Sequence, residues 1–142
     1  MTNRQNVLQS LRAAGYKLTP QRRAIIDAVL AADKSVTPQA LHASLVEKHS
    51  AIGLVTVYRT LDVLNRLGML CQFQPDGAAR SFKAGPTGHH HHLVCRGCGD
   101  VVNFSGRCPQ ELETALERET GFRITDHQLE FIGYCRDCQE KP

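Results

Sequence analysis

No stretch of the 142 residues is apolar for long enough to cross a bilayer, so no membrane-spanning segment is expected. The opening residues, MTNRQNVLQS, lack the apolar segment of a secretory signal. We therefore expect a cytoplasmic location and no membrane partner. In that reducing setting the six cysteines should not form a disulfide framework. Metal binding or redox sensing remains for them. Also missing are H-x-E and P-C-x-x-C, the motifs that supply a zinc deaminase with its general acid/base and its metal ligands. We expect no enzyme, no catalytic residue and no small organic substrate.

What the chain does contain is unevenly placed. Residues 1–84 carry 11 Lys+Arg against 5 Asp+Glu, and residues 85–142 carry 6 against 9. Of the cysteines, only Cys71 lies in the first part. A basic part thus precedes an acidic part rich in Cys and His. The basic part suggests a polyanionic partner.

Four helices are legible in that part. NVLQSLRAAG spaces Leu8 and Leu11 three apart and stops at Gly15. Thr19-Pro20 and Thr37-Pro38 each place an N-cap before a proline at the first helical position. The second helix then carries Ala24, Ile25, Ala28 and Val29 as an apolar stripe, and the third carries Leu41 and Leu45. The fourth, residues 53–67, has Leu54, Val57, Leu61 and Leu64 on one face and ends at Gly68. Two short segments around Pro75-Asp76-Gly77, Met69–Gln74 and Arg80–Lys83, read as a hairpin.

Short helices followed by a hairpin suggest a winged helix-turn-helix, which places one helix in the DNA major groove. The fourth helix is the candidate. Opposite its apolar stripe it presents Thr56, Tyr58, Arg59 and Arg66. Arginine takes guanine bidentately, and Thr and Tyr can meet thymine methyls or phosphate. Lys17, Arg22 and Arg23 suit backbone or minor-groove contact. The plainer alternative is a solvated, ordinarily charged helix face.

In the second part, Cys95-x-x-Cys98 is matched by Cys135-x-x-Cys138, with 36 residues between. Two such knuckles predict one tetrahedral structural Zn²⁺ with no open position. Between them DVVNF reads as a strand, CPQELETALERETG as a helix with Pro109 at its first position, and ITDHQLEFIGYC as a strand. So small a unit has little core, and metal and dimerisation should both stabilise it. The run His89 to His92 is internal, which argues against a purification tag. In an extended segment His89 and His91 face one side, and His90 and His92 the other, so one run can serve two metal sites. Further donors must come from elsewhere. His127, Cys71, Cys108, Glu111 and Glu113 are available, the alternative for the two lone cysteines being small buried hydrophobes.

Together GYKLTPQR, GLVTVYRTL, HHHHLVCRGCG and YCRDC resemble the ferric uptake regulator (Fur) superfamily. The resemblance spans about residues 10–138. It implies an α+β chain: a winged helix-turn-helix DNA-binding domain, residues 1–84, then a small α+β dimerisation domain, residues 85–142, with a four-cysteine zinc site. It also implies a homodimeric, metal-dependent repressor on double-stranded operator DNA. Tyr58 and Arg59 would read the operator and Lys17 would reach the minor groove. Cys95, Cys98, Cys135 and Cys138 match the structural zinc ligands.

The departures discriminate within the superfamily. Where iron and peroxide sensors carry a His and two acidic sensory ligands, this chain has Ser35, Lys83 and Asn103. Where zinc sensors carry an acidic residue, a Cys and two His, it has Cys71, Gly85, His90 and His92. A second regulatory site matches His89, His91 and His127, with Gln110 where a Glu is expected and Glu111 and Cys108 close by. Thiolate and imidazole with few carboxylates favour Zn²⁺ over Fe²⁺ or Mn²⁺. A zinc-responsive regulator of metal uptake is the leading expectation, with iron-responsive and peroxide- or redox-sensing members as the alternatives.

Overall fold

The computed structural model describes residues 3–74, 79–86 and 89–140. Helix α1 spans Arg4–Ala13, α2 Pro20–Ala31, α3 Pro38–Val46 and α4 Leu54–Arg66. The starts of α2 and α3 follow from local chemistry: Thr19 Oγ1 accepts from Arg22 N–H at 3.2 Å and Thr37 Oγ1 from Ala40 N–H at 3.1 Å. Gly15 and Gly68 take positive φ just past α1 and α4, the left-handed turn that ends a helix. Val7, Leu11, Ile25, Val29, Leu41, Val57, Leu61 and Leu64 form one buried core.

The apolar stripe of α4 is displaced from its sequence expectation. Leu54 is exposed, and Ile52, in the preceding turn, takes the core position. The first residue of the helix has no earlier turn to hold it against the core. Thr60 is buried on the same helix, with its hydroxyl donating to the Thr56 carbonyl at 2.8 Å.

The wing consists of β1, Leu70–Phe73, paired antiparallel with β2, Ser81–Ala84. The expected turn at Pro75-Asp76-Gly77 lies outside the described residues. Val36 and Phe82 exchange both backbone hydrogen bonds, at 2.9 and 2.8 Å, so the wing is anchored to the residue just before the α3 cap.

The second part is a three-stranded sheet. β3, His91–Cys95, lies between β4, Val101–Phe104, which is antiparallel to it, and β5, Glu130–Gly133, which is parallel. Helix α5 spans Gln110–Thr120, and a one-turn helix, α6, spans Arg136–Gln139. Pro109 is the N-cap of α5 rather than its first residue. The last strand is much shorter than expected: only Glu130–Gly133 is paired, and His127 lies outside it. Its partner β3 has five residues, of which His92 to Cys95 pair with it.

Val94 and Val101 pack with Phe73 of the wing, so one sheet face meets the wing. The other carries exposed Leu93, Val102 and Phe131 side by side. Neither α5 nor β5 has a buried residue. Among the described residues no helix is long and apolar enough to cross a membrane.

Candidate metal centres and nucleic-acid face

The two knuckles meet. Cys95 ends β3, Cys98 follows in the next turn, Cys135 caps α6 and Cys138 lies within it. Their four Sγ atoms all fall within 4.8 Å of one another. Gly97 is required by this approach, because a Cβ there would lie 2.9 Å from the Cys138 side chain. The Cys135 and Cys98 backbone N–H groups donate to Cys95 Sγ at 3.3 and 3.5 Å. These bonds lower the Cys95 thiol to about 6. Cys138 is pushed up to about 12 by hydrogen bonds with Cys135 and Cys95 and by burial. Four clustered thiols cannot all ionise without a cation among them, and a dication relieves that repulsion. The geometry fits Zn²⁺.

The histidine run divides as period-two parity requires. One cluster joins His89, His91, Cys108 and His127; another joins His90, His92 and Cys71. In the first, His89 Nε2 is 2.9 Å from His127 Nε2, and Cys108 Sγ is 3.5 Å from His91 Nε2. Glu111 is not brought there. It lies on another side of α5, beside Gln110, Thr114, Ala115 and Arg118. Glu113, two residues on, instead accepts from His127 Nδ1 at 2.5 Å. A carboxylate on Nδ1 fixes the tautomer and leaves the Nε2 lone pair for a metal. The sequence named Glu113 as a nearby carboxylate without giving it this position. Which acidic residue of α5 faces His127 depends on how residues 121–129 return the chain, and no local pattern encodes that path.

The second cluster spans the two parts of the chain. Cys71 lies on β1, and its Sγ is 3.2 Å from His90 Nε2. The His92 ring meets Phe73 edge-on at 4.8 Å. Burial, then the neighbouring His90 and His91, lowers His92 to about 4 and keeps it neutral at physiological pH. Burial raises the Cys71 thiol. His92 Nε2 is buried without a protein hydrogen-bond partner, as is His91 Nδ1. The orphaned His92 Nε2 fits metal ligation, whereas His91 faces its own cluster through Nε2. The hinge cluster supplies three donors, one fewer than a tetrahedral shell needs.

The positions that would hold iron-type ligands serve another purpose. Ser35 Oγ donates to the Gly99 carbonyl at 3.0 Å, and Lys83 Nζ to the Val101 carbonyl at 3.5 Å. Both bonds tie residues of the first part of the chain to residues of the second. Asn103 lines a separate cavity with Lys83 and Gly85.

On α4, Arg59 is exposed, whereas Thr56 and Tyr58 are half-buried, the Tyr58 hydroxyl accepting from Gln39 Nε2 at 2.6 Å. Val55 is 62% exposed and Leu54 37%, so the first turn of α4 presents apolar groups beside the polar ones. Lys17 is exposed. Arg22 is half-buried: it donates to the Lys17 carbonyl at 2.5 Å and its guanidinium lies over the Tyr16 ring, 5.6 Å from the centroid. That bond supports the loop that carries Lys17.

The sequence model of the Ferric uptake regulator family matches residues 13–132. The "Ferric uptake regulation protein" of Bacillus subtilis (strain 168) is 36% identical over 146 residues, covering 99% of this chain and 98% of that protein. The "Peroxide-responsive repressor PerR" of Staphylococcus saprophyticus is 32% identical over 134 residues, covering 94% and 90%. The crystal structure of the Vibrio cholerae ferric uptake regulator superposes with a TM-score of 0.66 at 29% identity, covering 89% of this chain and 98% of that one. With an α+β architecture and clustered Cys and His donors, this chain belongs to the ferric uptake regulator family of metal-responsive transcriptional regulators.

Proposed function

We propose that the chain is a zinc-responsive repressor of metal-uptake genes that binds operator DNA as a cytoplasmic homodimer. Residues 1–84 form its DNA-binding domain and residues 85–142 its metal-binding dimerisation domain. Cys95, Cys98, Cys135 and Cys138 hold structural zinc. Cys71, His90 and His92 form the sensory site. His89, His91, His127 and Cys108 form a second regulatory site, with Glu113 positioning His127. Lys17, Thr56, Tyr58 and Arg59 face the DNA.

The observation that carries zinc over iron is the thiol at the hinge: Cys71 Sγ lies 3.2 Å from His90 Nε2 in a cluster of one sulfur and two imidazoles. Such soft and borderline donors suit Zn²⁺, whereas Fe²⁺ and Mn²⁺ favour oxygen. The iron-responsive alternative draws support from the Bacillus relative. The exposed apolar strip of Leu93, Val102 and Phe131, on a sheet whose β5 edge is open, supports association of two copies.

Cys71 belongs to the wing, and His90 and His92 to the sheet domain. Joining them through one ion would fix the angle between the two parts, and hence the spacing of the two α4 helices in a dimer. Half-site spacing on DNA selects that angle. Binding is then reciprocal, and operator DNA should tighten regulatory metal binding by the same factor.

Cobalt tests the sulfur donor. In a Cys108→Ser background Cys71 is the one thiol outside the four-cysteine cluster. With that cluster filled by zinc, Co²⁺ at the hinge should show sulfur-to-cobalt charge transfer and intense tetrahedral bands. A weak octahedral spectrum without charge transfer would exclude Cys71 and favour the iron alternative.

Two further outcomes are expected. Glu113→Gln should lower affinity at the second site by about 10–100-fold, the usual effect of removing a carboxylate behind a ligating histidine. Competition with a chelator would measure it, and hinge affinity should stay unchanged. Arg59→Ala should cost about 1–3 kcal/mol on operator DNA and relax sequence preference. An equal loss on random DNA would exclude base reading by Arg59.

A further inference from the structure

We propose that Glu130 is the fourth donor of the hinge metal site, an inference that rests on Cys71, His90 and His92 forming that site. These three donors lack a fourth, and the surroundings show from which side it can come. On one side the cluster presses on the backbone: a Cβ at Gly85 would meet Cys71 Sγ at 3.0 Å and His90 Nε2 at 3.4 Å. A side chain there would push Cys71 Sγ aside by a few tenths of an ångström. A cavity of about 540 Å³, whose lining does not include Gly85, is bounded by Cys71, His90, His92, His127 and Glu130, together with neutral groups that include Asn65 and Gln72.

Glu130 is the one carboxylate among the described residues lining that cavity. His127 lines it too, but its Nδ1 is bonded to Glu113 and its Nε2 faces His89. The amides are weak zinc ligands. Glu130 is also the register partner of His92 in the parallel β3–β5 pair. Paired residues on adjacent strands project from the same face, and the strands lie about 4.8 Å apart. The Glu130 carboxylate lies outside the cluster of Cys71, His90 and His92, and rotation about its three side-chain bonds would bring it toward an ion held by His92. Glu130 is exposed as a residue, yet desolvation of its carboxyl at the cavity wall raises it from its ordinary range, a cost that a nearby cation would offset.

Ligation by Glu130 would recruit β5. The site would then join the wing through Cys71, the central strand through His92 and the edge strand through Glu130. That edge adjoins exposed Phe131 and Ile132. Regulatory metal and association of two copies would be coupled through one strand.

The test uses the full chain with its four-cysteine zinc retained. A His89→Ala/Cys108→Ser background disables the second cluster. Zn²⁺ affinity is measured by chelator competition for the parent, Glu130→Gln, Glu130→Ala and Cys71→Ser, and Co²⁺ spectra are recorded for each. Both Glu130 variants should lose roughly tenfold or more in Zn²⁺ affinity. Their cobalt bands should shift while thiolate charge transfer persists. Melting temperature and retained zinc, unchanged in the near-isosteric Glu130→Gln, would separate ligation from folding. Affinities within twofold of the parent for both variants, with Cys71→Ser strongly impaired, would overturn Glu130 as a donor and leave Cys71 as one. Unchanged affinity in Cys71→Ser as well would overturn the hinge site itself.

Discussion

Cys135→Ser should remove the tightly held zinc and unfold the chain from about residue 85 onward, with loss of the dimer. The expected effect is large because this part has so little else. Among its described residues only His91, Val94, Cys95 and Val101 are buried, and α5 and β5 bury nothing. Structural zinc in small peptide domains contributes about 10–16 kcal/mol of apparent binding free energy, as much as a whole domain's usual stability. The helical part has its own core and should remain folded. Far-UV circular dichroism should show partial loss of structure, size exclusion a shift to monomer, and metal analysis the loss of one zinc per chain. A zinc-free Cys135→Ser protein that stays folded and dimeric would contradict the structural role.

Cys71→Ser should have the opposite profile: fold, dimer and four-cysteine zinc intact, metal response gone. Replacing the thiolate with a hydroxyl removes the wing's donor to the hinge site, and His90 and His92 alone cannot bridge the two parts. Allosteric coupling typically amounts to about 1–3 kcal/mol, or about 5–150-fold in affinity. Zn²⁺-dependent tightening of operator binding should therefore fall from that range to near unity. Fluorescence anisotropy at controlled free Zn²⁺ measures it. Undiminished activation would remove Cys71 from the sensor, and Ser35→Ala offers a contrast. That variant breaks the Ser35–Gly99 bond between the parts, so it should shift operator affinity with and without metal while keeping the Zn²⁺ response.

The features legible in the sequence are those fixed by local chemistry. Thr19-Pro20 and Thr37-Pro38 start helices because a hydroxyl cap and a preset φ act within four residues. The division of four histidines into two clusters follows from the alternation of an extended chain. The two C-x-x-C knuckles converge because each already brings two thiols together. The features that escaped depend on distant parts of the chain. The Val36–Phe82 bridge, the place of Ile52 in the core instead of Leu54, and the Ser35–Gly99 bond are set by tertiary packing. Glu113 rather than Glu111 meets His127, and Glu130 comes beside His92, because of the path from α5 to a parallel strand. Helical or strand period carries no signal for that path. Arg22 shows the same limit in reverse: its charge was evident, but not the Lys17 carbonyl and Tyr16 ring that hold it.

The most direct test of a zinc-responsive repressor is operator binding as a function of free metal. Protein stripped of labile metal but retaining its four-cysteine zinc is titrated onto candidate operator DNA, anaerobically, at buffered Zn²⁺, Fe²⁺ or Mn²⁺. Activation by Zn²⁺ at far lower free concentration than by the other two is the expected result. Selective activation by Fe²⁺ or Mn²⁺ would contradict it.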